Sequence, residues 1–146
     1  MTAEELLERY AAGERDFAGA NLEGTDLSRA DLSGANLSYA NLSFSNLSGA
    51  DLSKANFSRA DLLEANLSGA RLGGADFSYA VLNATKLINT NWKDANITQT
   101  DIMGADLTNA NFQGAIGSFG KAHEAFLHNT VWMNGEIVID PEYIDA

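Results

Sequence analysis

His123 and His128 are the only imidazoles in the chain, and it contains no cysteine. Metal or nucleophilic chemistry would therefore rest on these two rings with carboxylates and hydroxyls. The histidines are five residues apart, a spacing that does not put both on one face of a helix. Solvated polar side chains are the expectation, not metal ligands. Asp26, Asp31, Asp51, Asp61, Asp76, Asp101 and Asp106 could supply paired carboxylates for acid–base work. Yet they recur at multiples of five, in a place that Asn fills elsewhere. A short acceptor repeated so regularly is expected to bond a nearby backbone N–H at a corner. The many serines share this regularity, and no Ser-His-Asp arrangement emerges. Asn-Leu-Ser sequons at Asn36, Asn41, Asn46 and Asn66 are by-products of the same repetition. GGADFS at 73–78 has the wrong period for a calcium-binding nonapeptide. No catalytic residue, cofactor or metal ligand is assigned.

What positions all these residues is a period of five. Every fifth position from Phe17 to Phe112 is a large apolar residue: twenty in a row, among them Leu22, Leu62, Phe77, Trp92 and Ile102. Two residues before each centre, nineteen of the twenty positions hold Ala, Ser or Thr, and the position between holds Asn or Asp in seventeen. A helix needs a period of 3.6 and a strand a period of 2. Within each pentad the small and large residues are two apart, which puts both on one face of an extended chain. Two polar positions follow, so the chain must turn to keep that face inward. Glycines at 19, 24, 34, 49, 69, 74, 104 and 114 suit such corners. A chain that turns the same way at each corner coils around a core, and its coils stack about 4.8 Å apart. No pentad can fold alone, so stability must come from stacked neighbours.

TDLSRADLSGA at 25–35 and ANLSYANLSF at 35–44 resemble the pentapeptide repeat, and the pattern covers residues 15–115. The resemblance implies an all-β solenoid: a right-handed, four-sided β-helix with four pentads per coil, and so about five coils. The opening LLERYAAGERDFAGANL resembles that of cyanobacterial members. NTVWMNGEI resembles the closing NT-x-MPDG segment of some members, departing from it at Trp132, Met133 and Asn134.

The whole chain, 1–146, is read as one domain: a capping helix in 1–14, repeats in 15–115, and a degenerate coil with an irregular C-terminal cap in 116–146. Residues 2–12 read as the helix, with a Thr2/Glu5 capping box, a face of Leu6, Leu7, Tyr10 and Ala11, and a stop at Gly13. Large centres are missing at Gly117 and Ala122, and the register returns at Leu127 and Trp132. GKAHEAF, 120–126, is expected to form a short helical bulge there. Trp132 should stack on the column of Phe112 and Trp92. Asn134-Gly135 predicts a hairpin that folds EIVI, 136–139, back over TVWM.

The chain carries 20 acidic and 9 basic side chains, a formal charge of −11. That charge would repel phosphate, so no direct nucleic-acid contact is expected. No apolar run is long enough for a membrane span, and the acidic start lacks the apolar region of a secretory signal. A cytoplasmic location is the expectation. Residues 15–115 carry only −4, from eleven acidic and seven basic side chains.

The outward positions are informative where they break the polar rule. Sorted at intervals of twenty, one corner column reads Gly19, Tyr39, Arg59, Tyr79, Gln99, a candidate aromatic–cation–aromatic ladder. The adjoining side carries Phe44, Leu63, Val81 and Met103 outward, whereas the side taken as opposite shows Ser28, Ser48, Ser68 and Thr108, with Ile88 as its one large exception. Stacking between coils is the plain explanation for the apolar four. The functional one is a continuous interaction patch of Tyr39, Phe44, Arg59, Leu63, Tyr79, Val81 and Met103. The expected protein is a non-enzymatic binding or regulatory module with a protein partner, a second copy of the chain being one candidate. The alternative that the resemblance supplies is DNA mimicry, as in family members that protect or inhibit DNA gyrase. Ice binding through flat columns such as Ser38, Ser58 and Ser78 is a further reading, weakened by the absence of tall Thr ladders.

Overall fold

The structure, a computed structural model, describes residues 1–145. Its body is a β-helix. Parallel bridges join each residue at the Asn/Asp position to the one twenty later, as in Asp16↔Asn36, Asn41↔Asp61 and Val81↔Asp101. Four pentads therefore complete one circuit. Taken in chain order, the first side carries the centres 17, 37, 57, 77 and 97, the second 22 to 102, the third 27 to 107 and the fourth 32 to 112.

All twenty centres are buried. Small residues line the positions beside them because the walls converge there, and most are buried alanines. Where Ser or Thr takes that place, the hydroxyl is satisfied by a backbone carbonyl, within its own turn except at Thr100, which donates to Phe77 in the circuit before at 2.8 Å. Ser45 donates to the Leu42 carbonyl at 2.6 Å, Thr85 to Leu82 at 2.7 Å and Thr90 to Leu87 at 2.6 Å. Thr90 also accepts from the Trp92 indole at 2.8 Å, so no polar atom is stranded among the aromatics.

Nearly every corner is a tight turn closed by a backbone bond such as Ala40 N–H to Leu37 C=O, 3.1 Å. The third residue of the turn has positive φ, the mark of a type II turn. Glycine suits it, but Tyr39, Phe44, Arg59 and Tyr79 hold it too, at φ 59 to 60. A left-handed non-glycine residue costs about 1–2 kcal/mol. Ala84, exposed at φ 56, contributes no packing in return. Ala84→Gly should raise unfolding stability by about 1 kcal/mol in urea denaturation.

The Asn/Asp position has the structural role its regularity suggests. Its Oδ1 accepts the backbone N–H two residues on, as from Asn36 to Ser38 at 3.1 Å and from Asp61 to Leu63 at 3.0 Å. The Ser28 hydroxyl, then its backbone N–H, holds the Asp26 carboxyl below its ordinary range. At Asp31 the Ser33 backbone N–H leads, then its hydroxyl. A depressed folded pKa gives stability that is present above the unfolded carboxylate value and lost as pH falls through the folded one. Asp26→Asn, which matches Asn46 one circuit on, should keep the fold at neutral pH and flatten the acid-side fall of the melting temperature below about pH 4.

Helix α1 spans Ala3–Ala11. Thr2 caps it by accepting the Glu5 N–H at 3.1 Å, and Gly13 ends it at φ 101. Leu6 is buried in the core, and the Tyr10 hydroxyl donates to the Ser33 carbonyl at 2.7 Å. The expected four-residue face is narrower in fact. Leu7 and Ala11 are exposed, because the helix meets the end of the coil only along the line of Ala3, Leu6 and Tyr10.

The ladder continues past residue 115, through Asn96↔Ile116, Asp106↔Phe126 and Asn111↔Val131. The helical bulge expected over 120–126 does not form. That segment makes an ordinary corner instead, a turn at 123–124 closed by Ala125 N–H to Ala122 C=O at 3.1 Å, and the Ile102 and Gly104 N–H groups donate to the Lys121 and His123 carbonyls at 2.7 and 3.0 Å. Gly117 leaves its core place empty, and Phe119 fills it by packing on Phe112 and Trp132. Trp132 lies against Phe112 as expected, at 5.9 Å between centroids. Strands β1 (Phe126–Leu127) and β2 (Thr130–Val131) are then covered by antiparallel returns. The turn at Asn134-Gly135 brings β3 (Ile137–Val138) onto β2, and β4 (Glu142–Tyr143) pairs with β1.

Candidate functional site

Among the described residues no group of three or more metal-capable side chains comes together. His123 accompanies its own cap: Nδ1 lies 2.7 Å from the Asp145 carbonyl and Nε2 3.7 Å from Glu124. Beside it is a hollow of about 540 Å³, lined by Gly104, Glu124, Tyr143, Ile144 and Asp145 as well. The recurring aspartates are spread along the ladder, not gathered in a cleft: all but Asp101 sit in Asx turns, and Asp101 accepts the Lys121 N–H of the next circuit at 2.8 Å. What the structure offers is a surface.

The four outward apolar residues lie on the second side, in successive circuits. Phe44 N–H donates to Leu63 C=O at 2.8 Å, Leu62 N–H to Val81 C=O at 2.8 Å, and Ala84 N–H to Met103 C=O at 2.8 Å. These bonds tie the successive circuits together, but the four residues hold different places in the pentad: Leu63 and Met103 follow the centre, two circuits apart with Asn83 between them, Phe44 takes the corner, and Val81 takes the bridging place before the centre. Phe44 is 52% exposed, and the other three are half-buried against neighbouring circuits. Leu63, Val81 and Met103 thus pack partly against their neighbours and still present surface.

Tyr39, Arg59 and Tyr79 line the corner that leads onto this side, tied by Tyr39 N–H to Ser58 C=O and Arg59 N–H to Ser78 C=O. Tyr39 is 66% and Tyr79 51% exposed. The three-membered ladder is only half made. The Arg59 guanidinium lies 4.7 Å from the Tyr79 ring centroid, and no such contact with Tyr39 exists among the described residues. One arginine stacks on one face at a time, which leaves Tyr39 open. Chain order also corrects the comparison side. Ser28, Ser48, Ser68 and Thr108 belong to the third side, adjacent to the patch, and the opposite, fourth side carries Ser33, Ser53, Gly73, Lys93 and Gln113.

The sequence reading missed further exposed apolar residues at the C-terminal end, Ile116, Ile137, Ile139 and Tyr143, which lie over different sides of the coil. Their signal was the EIVI run, read only as a cover for the last edge. Among the described residues no helix is long and apolar enough to cross a membrane.

A family model for pentapeptide repeats matches residues 16–53, 40–78 and 75–114, in 8 copies. Among solved structures, the chain is similar to Rfr23, a pentapeptide repeat protein of the cyanobacterium Cyanothece 51142. The TM-score is 0.75 at 30% identity, over 88% of this chain and 98% of that one. It is also similar to a pentapeptide repeat protein of the Arabidopsis thaliana thylakoid lumen, with a TM-score of 0.53 at 32% identity over 73% and 71% of the two chains. QnrB1, a plasmid-mediated fluoroquinolone resistance protein, aligns at a TM-score of 0.37 and 25% identity over 69% and 61%, too loosely to bear on function. No curated protein sequence matches the chain.

Proposed function

The chain belongs to the pentapeptide-repeat family, and from that premise we propose that it is a non-enzymatic binding or regulatory module acting through the surface of its β-helix. The observation that carries this reading is the second side, where Phe44, Leu63, Val81 and Met103 lie on successive circuits with exposed surface, beside a corner of Tyr39, Arg59 and Tyr79. Elsewhere the repeats choose mostly Ser, Asn, Gly or charged residues at such positions. Burying a few hundred Å² of this apolar surface, at about 25 cal/mol per Å², offsets part of the entropy cost of association.

In finer detail the reading is a single domain, 1–146, forming a right-handed, four-sided β-helix of about five coils in residues 15–115. Residues 1–14 form its helical cap and 116–146 an irregular one. The twenty-residue bridge spacing and the burial of Leu6 support that description. The partner is a protein, no cofactor takes part, and the location is cytoplasmic. A relative of the thylakoid lumen makes fractionation of the source cell the deciding measurement for the last point.

DNA mimicry toward gyrase would need dense carboxylate columns along the rod, and seven basic side chains interleave with eleven acidic ones there. The purified protein is expected to leave gyrase supercoiling unaffected at low micromolar concentration. Potent, salt-sensitive inhibition would reverse this reading in favour of mimicry.

The patch itself is tested with Leu63→Glu combined with Met103→Glu. Glu23 already occupies the same outward position in the first circuit, so the fold tolerates the change. The double variant should keep the parent's circular dichroism and lose the proteins that the parent captures from lysate. A folded variant that captures them all would remove the patch from the function. An unfolded one would make these residues part of the structure.

A further inference from the structure

We propose that the second side takes a cationic amphipathic protein segment, one that presents apolar side chains flanked by Lys or Arg. The proposal rests on the surface reading above and deepens it. It comes from dividing the charge of residues 15–115 among the four sides. The first side carries Arg15 and Arg59 against Asp16 and Asp76. The third carries Arg29 and Lys86 against Asp26 and Asp106. The fourth carries Lys54, Arg71 and Lys93 against Asp31, Asp51 and Asp94. Each of these is neutral. Within 15–115 the second side carries Glu23, Asp61, Glu64 and Asp101 and no basic residue of its own, so the whole −4 of the repeats lies there; Arg59 holds the corner leading onto it, and Lys121 follows Asp101 in the next circuit.

The side with the outward apolar residues is therefore also the acidic one, and the two sets interleave. Val81 is bridged to Asp61 on one circuit and to Asp101 on the other. The two aspartates' backbones stand about two strand spacings apart, roughly 10 Å, with that of the valine between them. Glu64 follows Leu63 directly, at the exposed corner that Phe44 holds one circuit earlier. A partner that buried only apolar groups here would bring these carboxylates toward a low-dielectric contact without compensation. A partner with Lys or Arg beside its apolar groups satisfies both, since the long stems cover apolar surface while the heads reach the carboxylates. The same charge opposes pairing of this side with itself in a second copy, which would set four carboxylates against four. Nucleic acid and anionic membrane are repelled likewise.

The test uses the full chain and fluorescent peptides of about five helical turns. One is an amphipathic Leu/Lys helix, one its Leu/Glu counterpart, and one consists of Lys alone. The Leu/Lys peptide should bind at least about tenfold more tightly than either other. Glu23→Lys with Glu64→Lys should weaken it by about tenfold. Glu8→Lys with Glu136→Lys, the same change of net charge away from this side, should weaken it by less than about threefold because salt screens distant charge. Lys fits both substituted positions, as Lys54 holds the corner place at φ 60 and Lys93 the outward place of Glu23. The milder pair Glu23→Gln with Glu64→Gln should move binding the same way and serves if the lysine pair disturbs the fold. Equal weakening by the lysine pairs on and off this side would show a response to net charge alone and overturn the proposal. So would tight binding of the Leu/Glu peptide, or a dimer in sedimentation that Leu63→Glu dissolves. If Leu63→Glu with Met103→Glu abolishes capture from lysate while the Glu23/Glu64 pairs change nothing, the patch stands and the basic partner does not.

Discussion

Phe77→Ala is expected to lower the unfolding free energy by about 3–5 kcal/mol, the range for truncating a buried aromatic residue. Phe77 has no exposed surface. Its ring stacks on Phe57 at 4.8 Å and 11°, and meets Trp92 at 4.9 Å and 54°. Trp92 continues to Phe112 at 5.1 Å, and Phe112 to Trp132. The stack thus joins the first and fourth sides and runs to the end of the ladder. Removing Phe77 opens a cavity in the middle of it, and each lost aromatic pair adds about 0.5–1.5 kcal/mol beyond area burial. Phe77→Leu should cost far less, about 1–1.5 kcal/mol, because Leu37 fills the same place two circuits earlier. Urea denaturation of both variants checks this. A loss under about 1 kcal/mol for the alanine variant would mean that the circuits collapse onto the gap, and that the stack is not what holds them in register.

The stack bears on the surface as well. Phe77 is followed by Ser78 and Tyr79, and Tyr79 carries the Arg59 guanidinium. The corner that displays these side chains is fixed by the ring two residues before it. Truncation should therefore weaken partner binding through misplacement, even where the outward residues are untouched.

Much of this architecture was legible because the pentad is a local rule repeated. The centres, the small positions and the Asx acceptors each follow from one residue type at one spacing, and the structure puts them where that rule requires. The left-handed corners were legible only at glycines. Tyr39, Phe44 and Arg59 adopt the same φ because the ladder on both sides over-determines it, a constraint that no single pentad contains. The helix was legible in extent but not in face, since Leu7 and Ala11 are excluded by the width of the coil beneath. Phe119 was missed because it serves the core from outside the five-residue register, two places after the empty centre at Gly117. The acidic character of the second side was open to the same sorting by twenties that exposed the apolar column. Sorting by residue size alone passed over it.

Gly117→Ala is expected to cost about 3 kcal/mol, through the coincidence of two penalties at one residue. Gly117 has φ 89, in the region that side chains rarely adopt, and a Cβ there would lie 2.4 Å from Thr98 Oγ1 and 2.8 Å from the Thr98 backbone nitrogen. The hydroxyl can rotate away, but the backbone nitrogen belongs to the circuit below and is held by the Asn96 Oδ1 at 3.0 Å. Gly34→Ala separates the two penalties. Its φ is 70 and nothing lies within 4 Å of the added carbon, so only the conformational cost of about 1 kcal/mol applies. The larger loss at Gly117 should be local. Ile97 and Gln99 receive the chain on either side of it, through bonds to Ile116 and Ser118 at 2.9 and 2.7 Å. Lifting that segment frees Phe119 from Phe112 and loosens the circuit on which β3 and β4 close. Because each circuit is stabilised mainly by its neighbours, the end should open before the body does. Hydrogen exchange in Gly117→Ala should therefore lose protection across 116–145 while the amides of 36–96 keep theirs. The released edge, no longer covered by β3 and β4, should make the variant associate at high concentration. Uniform loss of protection along the chain would show instead that the rod unfolds as one unit and that the cap is not a separate layer of stability.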